Sequence, residues 1–381
     1  MDKIVPKPIA FIDLKTQQAQ ILPALMVRIQ SVLSHGQYIM GPEVGELENR
    51  LAAYVGAKHA LSCSSGTDAL LMALMAYGVS PGDAIFTTPF TFIATAEVVQ
   101  LLGATPVFVD VDSRTFNLDP EALGQTISGL ATDRRTSHLR PKGIIPVDLF
   151  GQPADYDEIN ALARQHGLFV LGDAAQSFGA AYKGRRTGAL AEVSATSFFP
   201  AKPLGCYGDG GAIFTDDDTL AEILRSIRIH GQGMDKYENV RLGLNGRLDT
   251  LQAAILLAKL EIFDRQVAQR QAVAQRYNEA LGQVVEVPSV MPDRTSVWAQ
   301  YSVLSPRRAA LQESLKEEGI PTAIYYPIPL HLQGAFQPLG YQTGDFPVSE
   351  GLAQRIFSLP MSPYLSPADQ ERIIRIMLTA T

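Results

Sequence analysis

The chain has 381 residues, 46% hydrophobic and 19% charged, with a formal net charge of −7. That length is too great for one small core and predicts a large domain plus a smaller one, and the composition is that of a globular chain. The negative balance argues against nucleic acid or an anionic membrane as general partners, because both select basic surface.

Met1 to Ala10 carries Lys3, Lys7 and two prolines without an apolar run, so no signal peptide is expected. No stretch approaches the roughly 20 uncharged apolar residues of a membrane span, and a cytoplasmic setting is expected. Cys63 and Cys206 have neither metal-ligand spacing nor a disulfide framework around them, and no metal site is predicted.

From about residue 58 to 230, short apolar runs alternate with helical patterns. His59–Cys63, Ala84–Thr87, Pro106–Val111, Gly143–Leu149, Leu168–Leu171, Ser194–Phe198 and Ala212–Thr215 read as strands. They are bounded by Gly, Pro or Asp and are mostly apolar on both faces, as strands of a covered parallel sheet should be. The intervening helices are Thr67–Tyr77, Thr91–Leu102, Pro120–Ser128, Tyr156–His166 and Asp217–Arg228. Such alternation predicts an α/β layered domain. Arg134, Arg135, His138, Arg140 and Lys142 form a basic patch that reads as a solvated connection.

Asp249 opens one long helical stretch, Leu251 to about Leu281, suited to connecting two domains. Beyond it lie a strand near Ser296–Ser305, a helix at Arg307–Glu318, the segment Thr322–Tyr326, a proline-rich loop to Tyr341 and a last helix at Pro367–Leu378. The division expected is an N-terminal arm and large domain over 1–250, then a connecting helix and small α+β domain over 251–381. The arm, residues 1–40, is expected to pack near the small domain.

The chemistry concentrates in three places. Lys202 follows the apolar run to Phe199 and precedes the glycine-rich Gly208-Asp209-Gly210-Gly211, a poor setting for a solvated lysine. A desolvated lysine has a lowered pKa and becomes a nucleophile toward an aldehyde. Asp173 ends an apolar strand, at the rim where ligands of open α/β sheets bind, and could hold a pyridinium nitrogen protonated; a helix N-cap is the competing role. Ser64-Ser65-Gly66-Thr67-Asp68 joins a strand to a helix, a junction that aims backbone N–H groups at an anion but also suits a simple cap. The P-loop ending and the dinucleotide fingerprint are both absent, which counts against a nicotinamide dehydrogenase.

Four segments together resemble the DegT/DnrJ-type nucleotide-sugar aminotransferases: Ser65–Leu70, Asp173–Gly179, Ser197–Gly205 and Asn245–Ala254. They stand in that family's order and spacing, over about Phe11 to the C-terminus. The resemblance implies the fold-type I aminotransferase architecture, an α/β large domain with a mostly parallel sheet plus a smaller α+β C-terminal domain. It further implies pyridoxal 5'-phosphate as cofactor and a homodimer with active sites at the interface.

By position, Lys202 would be the Schiff-base lysine, Asp173 the partner of the ring nitrogen and Gln176 the partner of the phenolic oxygen. Gly66, Thr67 and Ser197 would hold the phosphate, with Asn245 reaching it from the other subunit. Ser65 stands where relatives often have Asn, which leaves its backbone as the donor. Phe92 takes the position of the stacking aromatic, with core packing as the alternative. Lysine rather than histidine at 202 favours transamination over sugar dehydration.

Further segments, Phe11–Lys15, His35–Val44, Lys202–Gly211 and Arg247–Leu257, resemble the branch that aminates UDP-2-acetamido-2-deoxy-3-oxo-glucuronate. The family resemblance implies L-glutamate, its usual amino donor, and a setting in surface polysaccharide (O-antigen) biosynthesis. Arg247 could pair bidentately with a carboxylate or serve a structural ion pair. Tyr325, Tyr326 and His331 fall where relatives line the substrate pocket, Tyr326 being favoured. The rivals are an enzyme for a different nucleotide keto sugar, another enzyme of the same fold, and a non-catalytic cofactor-binding regulator. Regulators of that kind usually attach a DNA-binding helical module, for which residues 1–40 are too few and too weakly basic.

Overall fold

The computed structural model describes residues 8–235 and 237–380. Expectations that fall on residues 1–7, at the start of the N-terminal arm, lie outside the described residues. The chain begins with α1 (Leu14–His35) and α2 (Pro42–Val55), neither of which the sequence reading anticipated. A regular alternation follows: β1 (His59–Cys63), α3 (Gly66–Ala76), β2 (Asp83–Thr87), α4 (Ala94–Leu101), β3 (Thr105–Phe108), α5 (Pro120–Gly129), β4 (Arg140–Ile145), α6 (Tyr156–His166) and β5 (Phe169–Asp173). A short hairpin, β6 (Ala181–Tyr182) with β7 (Arg185–Arg186), precedes β8 (Val193–Ser197), β9 (Gly211–Thr215) and α7 (Asp218–Ile227).

Seven strands form one sheet in the order β1-β9-β8-β5-β4-β2-β3. Only β9 runs against its neighbours, so the sheet is mostly parallel, as expected. Successive residues serve opposite layers, which is why these strands read as apolar on both faces. Ile85 and Leu171 join the layer of α3, α4 and α7, while Phe86 and Val170 join that of α5 and α6.

The long connector is two helices, α8 (Thr250–Leu260) and α9 (Phe263–Leu281). Ile262 leaves helical geometry between them with φ −111° and ψ 0°. A second core then gathers α9, β10 (Tyr301–Leu304), α10 (Arg308–Glu317), β11 (Ile356–Leu359) and α12 (Pro367–Thr379), while α11 (Pro347–Arg355) packs Leu352 and Ala353 against Phe90, Phe116 and Phe150. Its heart is Tyr277, Tyr301, Leu311, Phe357 and Ile373, with β10 antiparallel to β11.

The arm divides its packing. Ile9 enters that second core and the Phe11 carbonyl accepts from the Met361 amide, whereas α1 lies on α8 through Ile21, Leu25, Ile255 and Ala258. The basic patch is partly structural: β4 starts at Arg140, which pairs with Asp83, and Arg135 pairs with Asp133 and Asp345. Among the described residues no helix is long and apolar enough to cross a membrane.

Candidate active site

The parallel strands deliver their carboxyl ends to one rim, and Asp173 closes β5 there. It is 5% exposed, and both carboxylate oxygens are engaged: Oδ2 accepts from the Thr95 hydroxyl at 2.8 Å and Oδ1 from the Ala175 amide at 3.2 Å. Burial pushes its carboxyl up, while Thr95, the Ala175 amide and the Lys202 cation pull it back. Lys202 faces this acid from the loop after β8. Burial lowers the pKa of its amine, opposed by the charge on Asp173. An acid and an amine thus share one desolvated wall, each moving the other toward its charged form.

Gln176 is buried three residues beyond Asp173. Its Oε1 accepts from the Phe150 amide at 2.8 Å, and its Nε2 donates to the Tyr326 hydroxyl at 3.3 Å. Phe92 is 54% exposed, with its ring centroid 6.5 Å from that of Tyr326. An aromatic so exposed is not core packing, and its ring is available to a flat ligand. Tyr325 turns to Phe11, with ring centroids 6.4 Å apart.

The Ser65–Thr67 junction opens α3. The Ser65 hydroxyl accepts from the Asp68 amide as the N-cap, so its side chain is spent on the helix. No hydrogen bond among the described residues uses the N–H of Gly66 or Thr67, two of the orphan donors of a helix start. Gly66 sits so close to Ser197 that a Cβ there would lie 2.6 Å from the Ser197 Cβ. Free amide donors, a helix dipole and the Ser197 hydroxyl therefore converge in a cradle sized for backbone, which fits a phosphate. With Asp173, Lys202 and Gln176 nearby, the residues present fit pyridoxal phosphate.

His331 is walled in. Its side chain is fully buried, Nε2 is 3.0 Å from Glu350 Oε1, and its ring packs against Phe346. Burial holds its pKa below the usual value, with Glu350 opposing. No hydrogen bond or ring contact among the described residues joins it to Lys202, Gln176 or Tyr326. Asn245 and Arg247 belong to a different opening, a cavity of ≈ 360 Å³ shared with Ser64, Gly208 and Gln252. Asn245 is exposed, and the Arg247 Nε is buried without a partner. Their segment is fixed from behind, where the Ser64 amide donates to the Gly246 carbonyl at 3.1 Å.

Thr95 and Asp148 escaped the sequence reading. Thr95 stands in the same short motif as Phe92, three residues on and in the first turn of α4. Asp148 is fully buried beside Asp173: its amide donates to the Asp173 carbonyl at 3.0 Å, and its carboxylate accepts from Ser177 at 2.7 Å and the Ala154 amide at 2.9 Å.

Comparison with known proteins gives the same family. The profile of the DegT/DnrJ/EryC1/StrS aminotransferase family matches residues 21–378. The chain is 54% identical to UDP-2-acetamido-2-deoxy-3-oxo-D-glucuronate aminotransferase of Pseudomonas aeruginosa, over 94% of this chain and 97% of that one. Among solved structures, a DegT DnrJ EryC1 StrS aminotransferase from Brucella abortus superposes with a TM-score of 0.94 at 51% identity, covering 97% of this chain and 99% of that one. NtdA from Bacillus subtilis, solved with the cofactor PMP bound, superposes with a TM-score of 0.86 at 27% identity, over 97% of this chain and 83% of that one.

Proposed function

The chain belongs to the DegT/DnrJ/EryC1/StrS aminotransferase family, and from that premise we propose that it transfers an amino group from L-glutamate to UDP-2-acetamido-2-deoxy-3-oxo-glucuronate. It is a pyridoxal-phosphate-dependent sugar aminotransferase. The observation that carries the reading is the placing of Lys202 and the buried Asp173 within reach of each other's charge, beside the amide cradle of α3.

When bound, the cofactor supplies an electron sink for the pair left on a carbon that loses its proton. Asp173 would hold the positive charge of the ring nitrogen, and its raised pKa makes an opposite charge there the favourable partner. The Gly66 and Thr67 amides and the Ser197 hydroxyl would hold the phosphate, and Gln176 the phenolic oxygen. Phe92 would cover the ring. Lys202 Nζ, with its lowered pKa, would carry the proton between the substrate carbon and the cofactor's aldehyde-derived carbon, in opposite directions in the two halves of the reaction.

Tyr326 would then face the sugar. Arg247 is suited to a carboxylate, because its guanidinium has a buried nitrogen without a partner. Asn245 and Arg247 would reach a Lys202 site from a second copy of the chain, with a homodimer as the working unit. Leu22, Met26 and Val27 on α1, with Ile39 and Leu242, are exposed apolar residues that such a partner would cover. A setting in surface polysaccharide biosynthesis follows from the proposed sugar.

The test is an absorbance spectrum of the protein with pyridoxal phosphate, before and after L-glutamate, followed by turnover on a panel of keto sugars. A visible band that glutamate bleaches, with amination confined to the 3-keto glucuronate, is the expected result. A band that glutamate leaves unchanged would refute the donor, and turnover on a 4-keto sugar would refute the regiochemistry.

A further inference from the structure

Lys259 has no part in the chemistry above, yet it is among the most deeply buried residues of the protein, at 1% exposure on α8. An ammonium taken out of water costs several kcal/mol unless its environment compensates. No carboxylate among the described residues pairs with it. Its Nζ donates instead to the Gly205 carbonyl at 2.6 Å and lies 4.2 Å from the centroid of the Tyr207 ring. A carbonyl dipole and a π face are both good partners for a cation. Burial lowers its pKa to about 8, so the cation still predominates at neutral pH; the Cys206 thiol is the one charged or titratable group that opposes the shift.

Gln252 stands two helical turns earlier, on the same face of α8. Its Oε1 accepts from the Tyr207 amide at 2.8 Å and its Nε2 donates to the Tyr207 carbonyl at 3.4 Å. Both side chains therefore end on the same three residues, Gly205 to Tyr207. These close the loop that carries Lys202, in which the Lys202 amide donates to the Phe199 carbonyl at 2.8 Å and the Cys206 amide to the Phe198 carbonyl at 2.8 Å. The loop is tight enough that a Cβ on Gly205 would lie 2.6 Å from the Phe199 and Pro200 carbonyl oxygens. Its interior is filled, so its aim depends on what holds the outward-facing carbonyl and the Tyr207 backbone.

We propose that Lys259 and Gln252 are positioning residues for Lys202, clamping the Gly205–Tyr207 turn to α8 so that the Lys202 amine is held toward Asp173. The proposal rests on the reading of Lys202 as the cofactor lysine. Because α8 directly follows Asn245 and Arg247, the same helix ties the loop of one site to the segment offered to a partner.

The test compares wild type with Lys259→Met, which keeps the volume and removes the charge, and with Lys259→Gln, which keeps an N–H donor. Two readouts are taken on the pyridoxal-phosphate-loaded protein: the dissociation constant of the cofactor, and the pH midpoint of its visible band. Circular dichroism controls for folding.

Lys259→Met is expected to weaken cofactor binding about tenfold, the scale of one charge-assisted hydrogen bond. It should also move the pH midpoint upward as a looser Lys202 becomes better hydrated. Lys259→Gln should recover part of both. Wild-type affinity and midpoint in Lys259→Met overturn the clamp. Absence of the visible band in wild type overturns the Lys202 reading and the clamp with it. Should Lys259→Met fail to fold, Gln252→Ala, at a half-buried position, carries the same two readouts with the same signs.

Discussion

Two regions carry the residues of the proposed chemistry, and they are finished to different degrees. On the strand-end wall, Asp173 and Gln176 are 5% and 4% exposed, with both Asp173 oxygens and both Gln176 side-chain atoms bonded within the chain. On the wall of residues 245–252, Asn245 and Asp249 are exposed, and the Arg247 guanidinium keeps a buried nitrogen unpaired beside an open cavity. Buried polar groups are normally satisfied, because leaving one unpaired costs about 1–3 kcal/mol. The first wall is a complete device inside one chain. The second keeps an unpaired donor within the chain, and under the proposed function a second copy and the substrate would supply its partners.

The sharpest way to break that contrast is to remove the reactive group of the finished wall. Lys202→Ala should abolish the visible cofactor band and lower transamination at least 10²- to 10⁴-fold, the scale of a lost general acid–base group. Spectra and single-turnover rates check this. A surviving band would mean that another amine holds the cofactor. Asp173→Asn keeps the shape and the Thr95 contact but removes the charge. It should cost roughly ten- to a hundred-fold in kcat/KM, as expected for a charged hydrogen bond of about 1.5–3 kcal/mol.

The open wall gives a different signature. Arg247→Ala should raise the sugar KM about tenfold or more while leaving the cofactor band in place, because the guanidinium is proposed to meet the substrate carboxylate rather than the cofactor. If active sites span two copies, mixing inactive Lys202→Ala protein with Arg247→Ala protein should restore activity, since hybrid dimers hold one site free of both changes. Mixtures no better than the sum of their parts would place both walls in one chain.

How much of this was legible depended on whether the signal was local. The seven strands were readable because residues buried on both faces leave runs such as Phe169-Val170-Leu171 between Gly and Asp, although the reversal of β9 left no mark. The break at Ile262 was hidden because nothing between Leu251 and Leu281 disfavours a helix. Lys202, Asp173 and Gln176 stood out through motif and spacing. Lys259 and Asp148 did not, since only tertiary packing turns an ordinary lysine or aspartate into a buried one. His331 carried a motif position but is walled in by Glu350 and Phe346.

The smallest expected effect on activity tests the finished wall from behind. Asp148 touches no reacting group; it holds Ser177 and the Ala154 amide beneath Asp173. Burial raises its pKa from the ordinary carboxylate value to about 7, with Asp173 adding to the rise and the bonds from Ser177, Ala154 and Tyr156 opposing it. A carboxyl whose pKa is raised on folding binds its proton more tightly in the folded state. Its stabilising contribution is therefore full below about pH 4 and is lost as pH rises through about 7.

Asp148→Asn has no proton to lose and can still accept from the Ala154 amide. The variant should gain stability relative to wild type as pH is raised from 5 to 8, by up to about 2.5 kcal/mol because about two of the three pH units of the shift fall in that range, a change of several degrees in Tm. Activity should change less than tenfold. Parallel melting curves of the two proteins across that range would show Asp148 to be an uncharged strut if their separation widens with pH. A constant separation would show that the carboxylate is already ionised at pH 5, held by its three donors.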